Sequence, residues 1–219
     1  MSVIVLAGTI GAGKSSLTEM LANHLNSEAY YESVEDNEVL PLFYQDPNKY
    51  AFLLQIYFLN KRFESIKKAL KDDNNVLDRS IYEDSLLFHL NADLGRATDT
   101  EVRVYDELLK NMLEELPHAA HKKHPDLLVH IRVSFPTMLE RIEKRGRDFE
   151  QIAYDPSLYD YYKELNSRYD QWYEDYNESA KIQIDGDVLN FVEDEEAAKE
   201  VLRLIEAKVK EVRGETPTK

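Results

Sequence analysis

Gly8-Thr9-Ile10-Gly11-Ala12-Gly13-Lys14-Ser15 matches the pattern G-x-x-x-x-G-K-S/T and stands between two contrasting neighbours. Before it, Val3-Ile4-Val5-Leu6-Ala7 is a short apolar, β-branched run that reads as a buried strand. After it, Ser16 opens a segment in which Leu17, Leu21 and Leu25 recur at helical spacing. Strand, glycine-rich turn and helix is the context in which this pattern cradles a phosphate. Glycines let the backbone curl so that several N–H groups point inward, and the new helix adds the positive end of its dipole. Residues Gly8 to Ser16 are therefore assigned to a nucleotide triphosphate. Lys14 reaches its outer phosphates, and the Ser15 hydroxyl holds a magnesium ion.

Outward from this loop, strands alternate with helices. Glu28–Val34 reads as a second strand carrying Glu32 near its end, followed by a capping loop Glu35-Asp36-Asn37 and a short helix Glu38–Tyr44. Asp46-Pro47 opens a long helix to about Lys71, apolar on more than one face and hence buried from two sides. Asn75–Asp78 is a third strand, and Ser80 caps a helix to Ala92. A helix over Thr98–Leu116, a strand over Asp126–Val133, a helix over Pro136–Arg145 with its exit at Gly146, and a helix from Asp155-Pro156 to Asn177 follow. Lys181–Asp185 is a last strand, Asp185-Gly186-Asp187 a turn, and Glu193–Val212 a final amphipathic helix. This alternation predicts an α/β, three-layer P-loop fold: a five-stranded parallel sheet flanked by helices. Residues 1–212 read as a single domain and 213–219 as a polar, disordered tail. Ligands of such sheets sit beyond the carboxyl ends of the strands, so Gly8, Glu32 and Asp78 should share one crevice.

The totals narrow the partners. The chain has 219 residues, no cysteine and a formal net charge of -15. Bulk nucleic acid would be repelled at long range, so an anionic nucleotide must find a local positive site. Thiol catalysis and disulfides are excluded, which suits a cytoplasmic location. Neither a signal peptide nor a membrane span is legible.

Several side chains are placed to act on a nucleotide. An alcohol acceptor needs a base as its new bond forms, and Glu32 could serve; an acceptor that is already a phosphate would prefer arginines. Asp78 could hold magnesium, and Arg79 could stabilise charge on a transferring phosphoryl group. Arg141, Lys144, Arg145 and Arg147 form a basic cluster beside Gly146. We read this arginine-rich segment as a lid that closes over the donor phosphates and excludes water. Gln55 and Arg62 share a helix face, as do Asp84 and Phe88; spacing alone fits surface polar groups beside core aromatics better than a clamp on a heterocycle. His118, His121 and His124 lie in a lysine-containing connection without ligating carboxylates and read as a solvated loop rather than a metal site.

Gly8–Ser15, Glu32-Ser33-Val34, Tyr44, Gln55 with Arg62, Asp78-Arg79-Ser80 with Asp84, and Arg141 through Glu150 together resemble the deoxyribonucleoside kinases, from about Val3 to Phe191. Within that family the set is most similar to bacterial deoxyadenosine and deoxyguanosine kinases, which are related to deoxycytidine kinase. The resemblance implies transfer of the γ-phosphoryl of ATP to a deoxynucleoside 5′-hydroxyl, with magnesium. By it, Glu32 is the base for that hydroxyl and Arg79 assists there. Tyr44 and Glu150 hold the sugar 3′-hydroxyl. Gln55, Arg62 and Asp84 read the base, with Phe88 stacking on it. Arg141 lies against the donor adenine, Arg145 and Arg147 close on phosphates, and Asp185-Gly186-Asp187 borders the donor base. The resemblance also implies a homodimer built through helices. Two departures stand out: many relatives carry glutamate where Asp78 stands, and proline where Ser33 stands.

Two other readings compete. A nucleoside monophosphate kinase, of the thymidylate-kinase type, would need a pocket for an acceptor phosphate. A P-loop nucleotide switch would need a guanine-reading N-K-x-D segment, which the chain lacks.

Overall fold

Residues 3–32, 34, 36–119 and 125–214 are described by the computed structural model, with the backbone alone at 116–119. In chain order the elements are β1 (Val3–Ala7), α1 (Lys14–Leu25), β2 (Ala29–Tyr30), α2 (Leu40–Gln45), α3 (Pro47–Ala69), β3 (Asn75–Asp78) and α4 (Ile81–Asp93). Then come α5 (Asp99–Ala119), β4 (Leu127–Arg132), α6 (Phe135–Arg145), α7 (Leu158–Asp175), β5 (Ala180–Asp185) and α8 (Glu195–Arg213). Ser33, the side chains of His118, His121 and His124, and residues 215–219 of the expected tail lie outside the described residues. No helix among the described residues is long and apolar enough to cross a membrane.

The five strands form one parallel sheet in the order β2-β3-β1-β4-β5. All five residues of β1 are buried, because the strand is covered on both faces. Ile4 and Leu6 face a core with Leu17 and Leu21 of α1 and Val201 and Ile205 of α8. Val3, Val5 and Ala7 face the opposite core, with Leu59 and Ile66 of α3 and Tyr105 of α5. This is the period-two alternation of a strand sandwiched between helical layers. β1 is also where the connections switch sides of the sheet, since its neighbours are β3 and β4. A crevice is expected beyond the carboxyl ends of the strands at such a point.

Local chemistry sets the helix starts. Asn37 Oδ1 accepts from the backbone N–H groups of Val39 and Leu40, leading into α2. Asp46 caps α3 through Lys49, with Pro47 in the first turn. Ser80 and Glu83 form a reciprocal capping box on α4. Gly146 closes α6 in the left-handed conformation, at φ 70°.

The second strand departs from expectation. Pairing is confined to Ala29–Val76 and Tyr30–Leu77, and the chain then leaves the sheet. The Val34 N–H donates to the Glu32 carbonyl at 2.9 Å and not to a neighbouring strand. Glu32 is therefore on a loop beyond an edge strand. That strand is separated from β1 by β3, and so is not β1's neighbour.

Candidate active site

A cavity of about 980 Å³ opens beyond the carboxyl ends of β1 and β3. Gly11, Gly13, Lys14, Ser15 and Ser16 line one end; Glu32, Tyr44, Gln55 and Glu150 line the other, with Arg79 and Asp78 among the remaining wall residues. Glu32 and Asp78 thus share one cavity, whereas Gly8 is not among the residues that line it.

The phosphate loop is shaped by close backbone approaches. Gly11, at φ 77°, passes the carbonyl of Met138 so closely that an added Cβ would lie 3.1 Å from it. Gly13, at φ 95°, precedes α1, and a Cβ added there would lie 3.1 Å from the Phe191 ring. Both conformations favour glycine. The Lys14 ammonium folds back onto the loop, donating to the carbonyls of Gly8 at 2.8 Å and Thr9 at 3.0 Å. Burial lowers its pKa to about 8; Arg79 adds to this, and the carboxylates of Asp78, Glu83 and Glu32 only partly oppose it.

Ser15 and Asp78 meet across the two strand ends, with Ser15 Oγ donating to Asp78 Oδ2 at 2.5 Å. Asp78 is 3% exposed, and its Oδ1 is buried without a hydrogen-bond partner. A hydroxyl and a carboxylate with a spare oxygen are hard donors of the kind magnesium takes. No group of three or more His, Asp or Glu gathers among the described residues, so most other ligands of such an ion would be phosphates and water.

Glu32 sits between two buried arginines. Its Oε1 accepts from Arg62 Nη2 at 2.9 Å and lies 2.8 Å from Arg79 Nε, the latter an ion pair without hydrogen-bond alignment. Burial alone would raise its pKa, but Arg79, Arg62 and Lys14 outweigh that and bring the carboxyl to about 2. Arg79 occupies a left-handed backbone position, at φ 84°, unusual for a side chain of its size. Arg62 forks onto Asp84, with Nε to Oδ2 at 2.9 Å and Nη2 to Oδ1 at 3.0 Å, and also donates to the Asp78 carbonyl. Burial works against the Arg62 charge, yet Asp84 and Glu32 more than restore it, so its pKa is raised.

The remaining residues divide. Gln55 lines the cavity with a buried Oε1 that has no partner. Arg62 and Asp84 form a layer behind the cavity wall. Phe88 is a core aromatic, as its spacing favours, and not the stacking ring that the family resemblance implies: it is 0% exposed and packs against Tyr105 and Phe52, with centroids 4.7 and 6.0 Å away, inside the second core. Its neighbour Leu87 lines the cavity, as does Phe58 from α3. Tyr44 packs its ring on Phe149, and Glu150 is 4% exposed. Arg145 pairs directly with Glu150, and Arg147 lies 3.5 Å from it. Arg141 ties the phosphate loop to the Asp185-Gly186-Asp187 turn, donating to the carbonyls of Ala12 at 3.1 Å and Gly186 at 2.8 Å.

Glu83 was missed. It is 0% exposed and accepts hydrogen bonds from Gly8, Ser80 and Tyr169. The Ser-x-x-Glu spacing signalled only its helix-capping half.

A family model described as deoxynucleoside kinase matches residues 4–210. A deoxyguanosine kinase of Lactobacillus johnsonii is 63% identical over 97% of this chain and 94% of its own length. A deoxyadenosine kinase of Lactobacillus acidophilus is 55% identical over 97% of this chain and 98% of its own. Among solved structures, a deoxyadenosine kinase from M. mycoides with bound dCTP superposes with a TM-score of 0.77 at 27% identity, covering 94% of this chain and 99% of that one.

Proposed function

The chain belongs to the deoxynucleoside kinase family, and from that premise we propose the residues and substrates with which it phosphorylates a deoxynucleoside. As a member it is a phosphotransferase with an alcohol acceptor. The donor is ATP and the acceptor a purine deoxynucleoside, deoxyguanosine first. The similarity to a deoxyguanosine kinase at 63% identity against a deoxyadenosine kinase at 55% supports that order.

One observation carries the mechanism: Glu32, ionised between two arginines, shares a cavity with the glycine loop that holds Lys14. The loop amides and Lys14 grip the β- and γ-phosphates. Ser15 and Asp78 would hold a magnesium ion, which supplies positive charge against the outer phosphates. The 5′-oxygen of the sugar bonds to the γ-phosphorus, the bond from that phosphorus to the bridging oxygen breaks, and ADP leaves. Glu32 accepts the hydroxyl proton. A carboxylate at about 2 is a weak base, so the proton moves late, once the oxygen has been acidified by its bond to phosphorus. Arg79 stabilises charge on the transferring group. Tyr44 and Glu150 hold the 3′-hydroxyl, and Gln55 reads the base edge, with Arg62 and Asp84 behind it. Arg145 and Arg147 transfer from Glu150 to the donor phosphates as the segment around Gly146 closes. Arg141 and the Asp185-Gly186-Asp187 turn border the donor base. A homodimer and a cytoplasmic location complete the proposal, checked by sedimentation and cell fractionation.

Initial rates on the four natural deoxynucleosides and on their monophosphates, with ATP and magnesium, test it. Deoxyguanosine should be fastest and the monophosphates inert. Turnover of monophosphates in preference to nucleosides would overturn the role of Glu32, and a pyrimidine preference the assignment of the base.

A further inference from the structure

The phosphoryl-transfer scheme leaves one buried carboxylate without a part. Glu83 lies in the first turn of α4, fully shielded from solvent. One oxygen, Oε2, accepts from the Ser80 N–H at 2.9 Å, as a helix-capping glutamate does. The other, Oε1, reaches far along the chain: it accepts from the Gly8 N–H at 2.9 Å and from the Tyr169 hydroxyl at 2.9 Å, and lies 3.5 Å from Arg79 Nη1. Tyr169 in turn receives a hydrogen bond from Arg79 Nη1 at 3.2 Å. Capping alone would use only the first of these contacts.

The partners are themselves constrained. A Cβ on Gly8 would meet the Ile131 carbonyl at 2.7 Å, so the entrance to the phosphate loop is walled by β4 on one side and anchored by Glu83 on another. Arg79 holds a left-handed conformation at φ 84° that its surroundings must enforce. A single side chain therefore bonds to the first residue of the loop and to the backbone that follows Arg79.

We propose that Glu83 is a positioning residue for phosphoryl transfer: it locks the entrance of the phosphate loop to the Arg79 turn, so that the loop and the Arg79 guanidinium address the same transferring group. The inference rests on the role given to Arg79 above. Glu83→Gln keeps the size of the side chain but puts an N–H against one of the two backbone N–H groups and removes the charge beside Arg79.

Kinetics and thermal melts of Glu83→Gln, Arg79→Lys and the double variant test this. The folded Glu83→Gln enzyme should lose about tenfold or more in kcat, because a small misplacement of a catalytic group costs that much. Its KM for the deoxynucleoside should stay within about threefold, since the acceptor pocket is untouched. The double variant should be no slower than Arg79→Lys alone, within about twofold, because both changes remove one arrangement. A purely structural Glu83 would lower the melting temperature while kcat per folded molecule stayed the same, and losses in kcat that multiply in the double variant would show that Glu83 acts apart from Arg79; either result overturns the proposal. If Arg79→Lys leaves kcat unchanged, the role of Arg79 fails and the proposal with it. If only Glu83→Gln is silent, the proposal fails alone. Should Glu83→Gln not fold, Tyr169→Phe decides: it deletes the hydroxyl that bonds to both the Glu83 carboxylate and the Arg79 guanidinium and should cost about tenfold in kcat, the lower end for a hydrogen bond to a charged group. Full activity in Tyr169→Phe would then count against the lock.

Discussion

At the glycine-loop end of the cavity, the wall is made largely of backbone. Eight consecutive residues, three of them glycines, make the loop; the Lys14 ammonium folds onto the carbonyls of Gly8 and Thr9, and Gly11 and Gly13 press against α6 and Phe191. At the opposite end it is made of charged side chains drawn from separate parts of the chain. Glu32 leans on Arg62 and Arg79, and Glu150 on Arg145 and Arg147. The first construction depends on space and torsion angles. The second depends on every buried charge keeping its partner. Substitutions should therefore fail differently at the two ends.

The largest effect is expected at Arg62. Arg62→Met leaves Asp84, 1% exposed, without its fork and strips Glu32 of one cation. Breaking a buried pair from one side typically costs ~3–5 kcal/mol, which urea unfolding would read directly. A loss under ~1 kcal/mol, the range of exposed pairs, would mean that the side-chain end is not held by charge pairing. Next comes Glu32→Gln, expected to lower kcat about a hundredfold or more while ATP binds as before. A weakened ATP affinity with kcat intact would show that the two ends are not separable.

The smallest effect belongs to the loop. Lys14 titrates near 8 in the protein against 10.5 in an ordinary lysine. The unfolded chain holds this proton to higher pH than the folded one, so this group's contribution to stability rises with pH between those values. Binding runs the other way. Phosphates favour the charged ammonium, so ATP binding takes up a proton above pH 8, and affinity falls by at most about tenfold per pH unit there. Calorimetry in buffers of different ionisation enthalpy would detect the uptake. Its absence at pH 9 would place Lys14 in a more polar setting than the carbonyls of Gly8 and Thr9 provide.

The same contrast explains what could be read beforehand. The glycine loop, the Asp46-Pro47 and Ser80 helix starts and the five strands are local patterns, each settled within a few neighbouring residues. The acceptor end is not local. Periodicity favours Phe88 as a core aromatic but reads Asp84 as a surface group, whereas Asp84 is buried in an ion pair with Arg62 and Leu87 lines the cavity. Glu83 shows the same limit: its spacing from Ser80 is visible, whereas Gly8 and Tyr169 stand 75 and 86 positions away. The sequence reading carries β2 to Val34, whereas pairing stops at Tyr30, two residues before Glu32.

That abbreviated strand has a further bearing on how the molecule behaves in a crowded solution. A long open flank on a sheet is a template onto which another chain can zip, and proteins guard against it. Here one flank exposes only the two residues of β2, and the other, β5, carries Lys181 and Asp185. Short extent on one margin and charge on the other leave little for amyloid-type growth to copy.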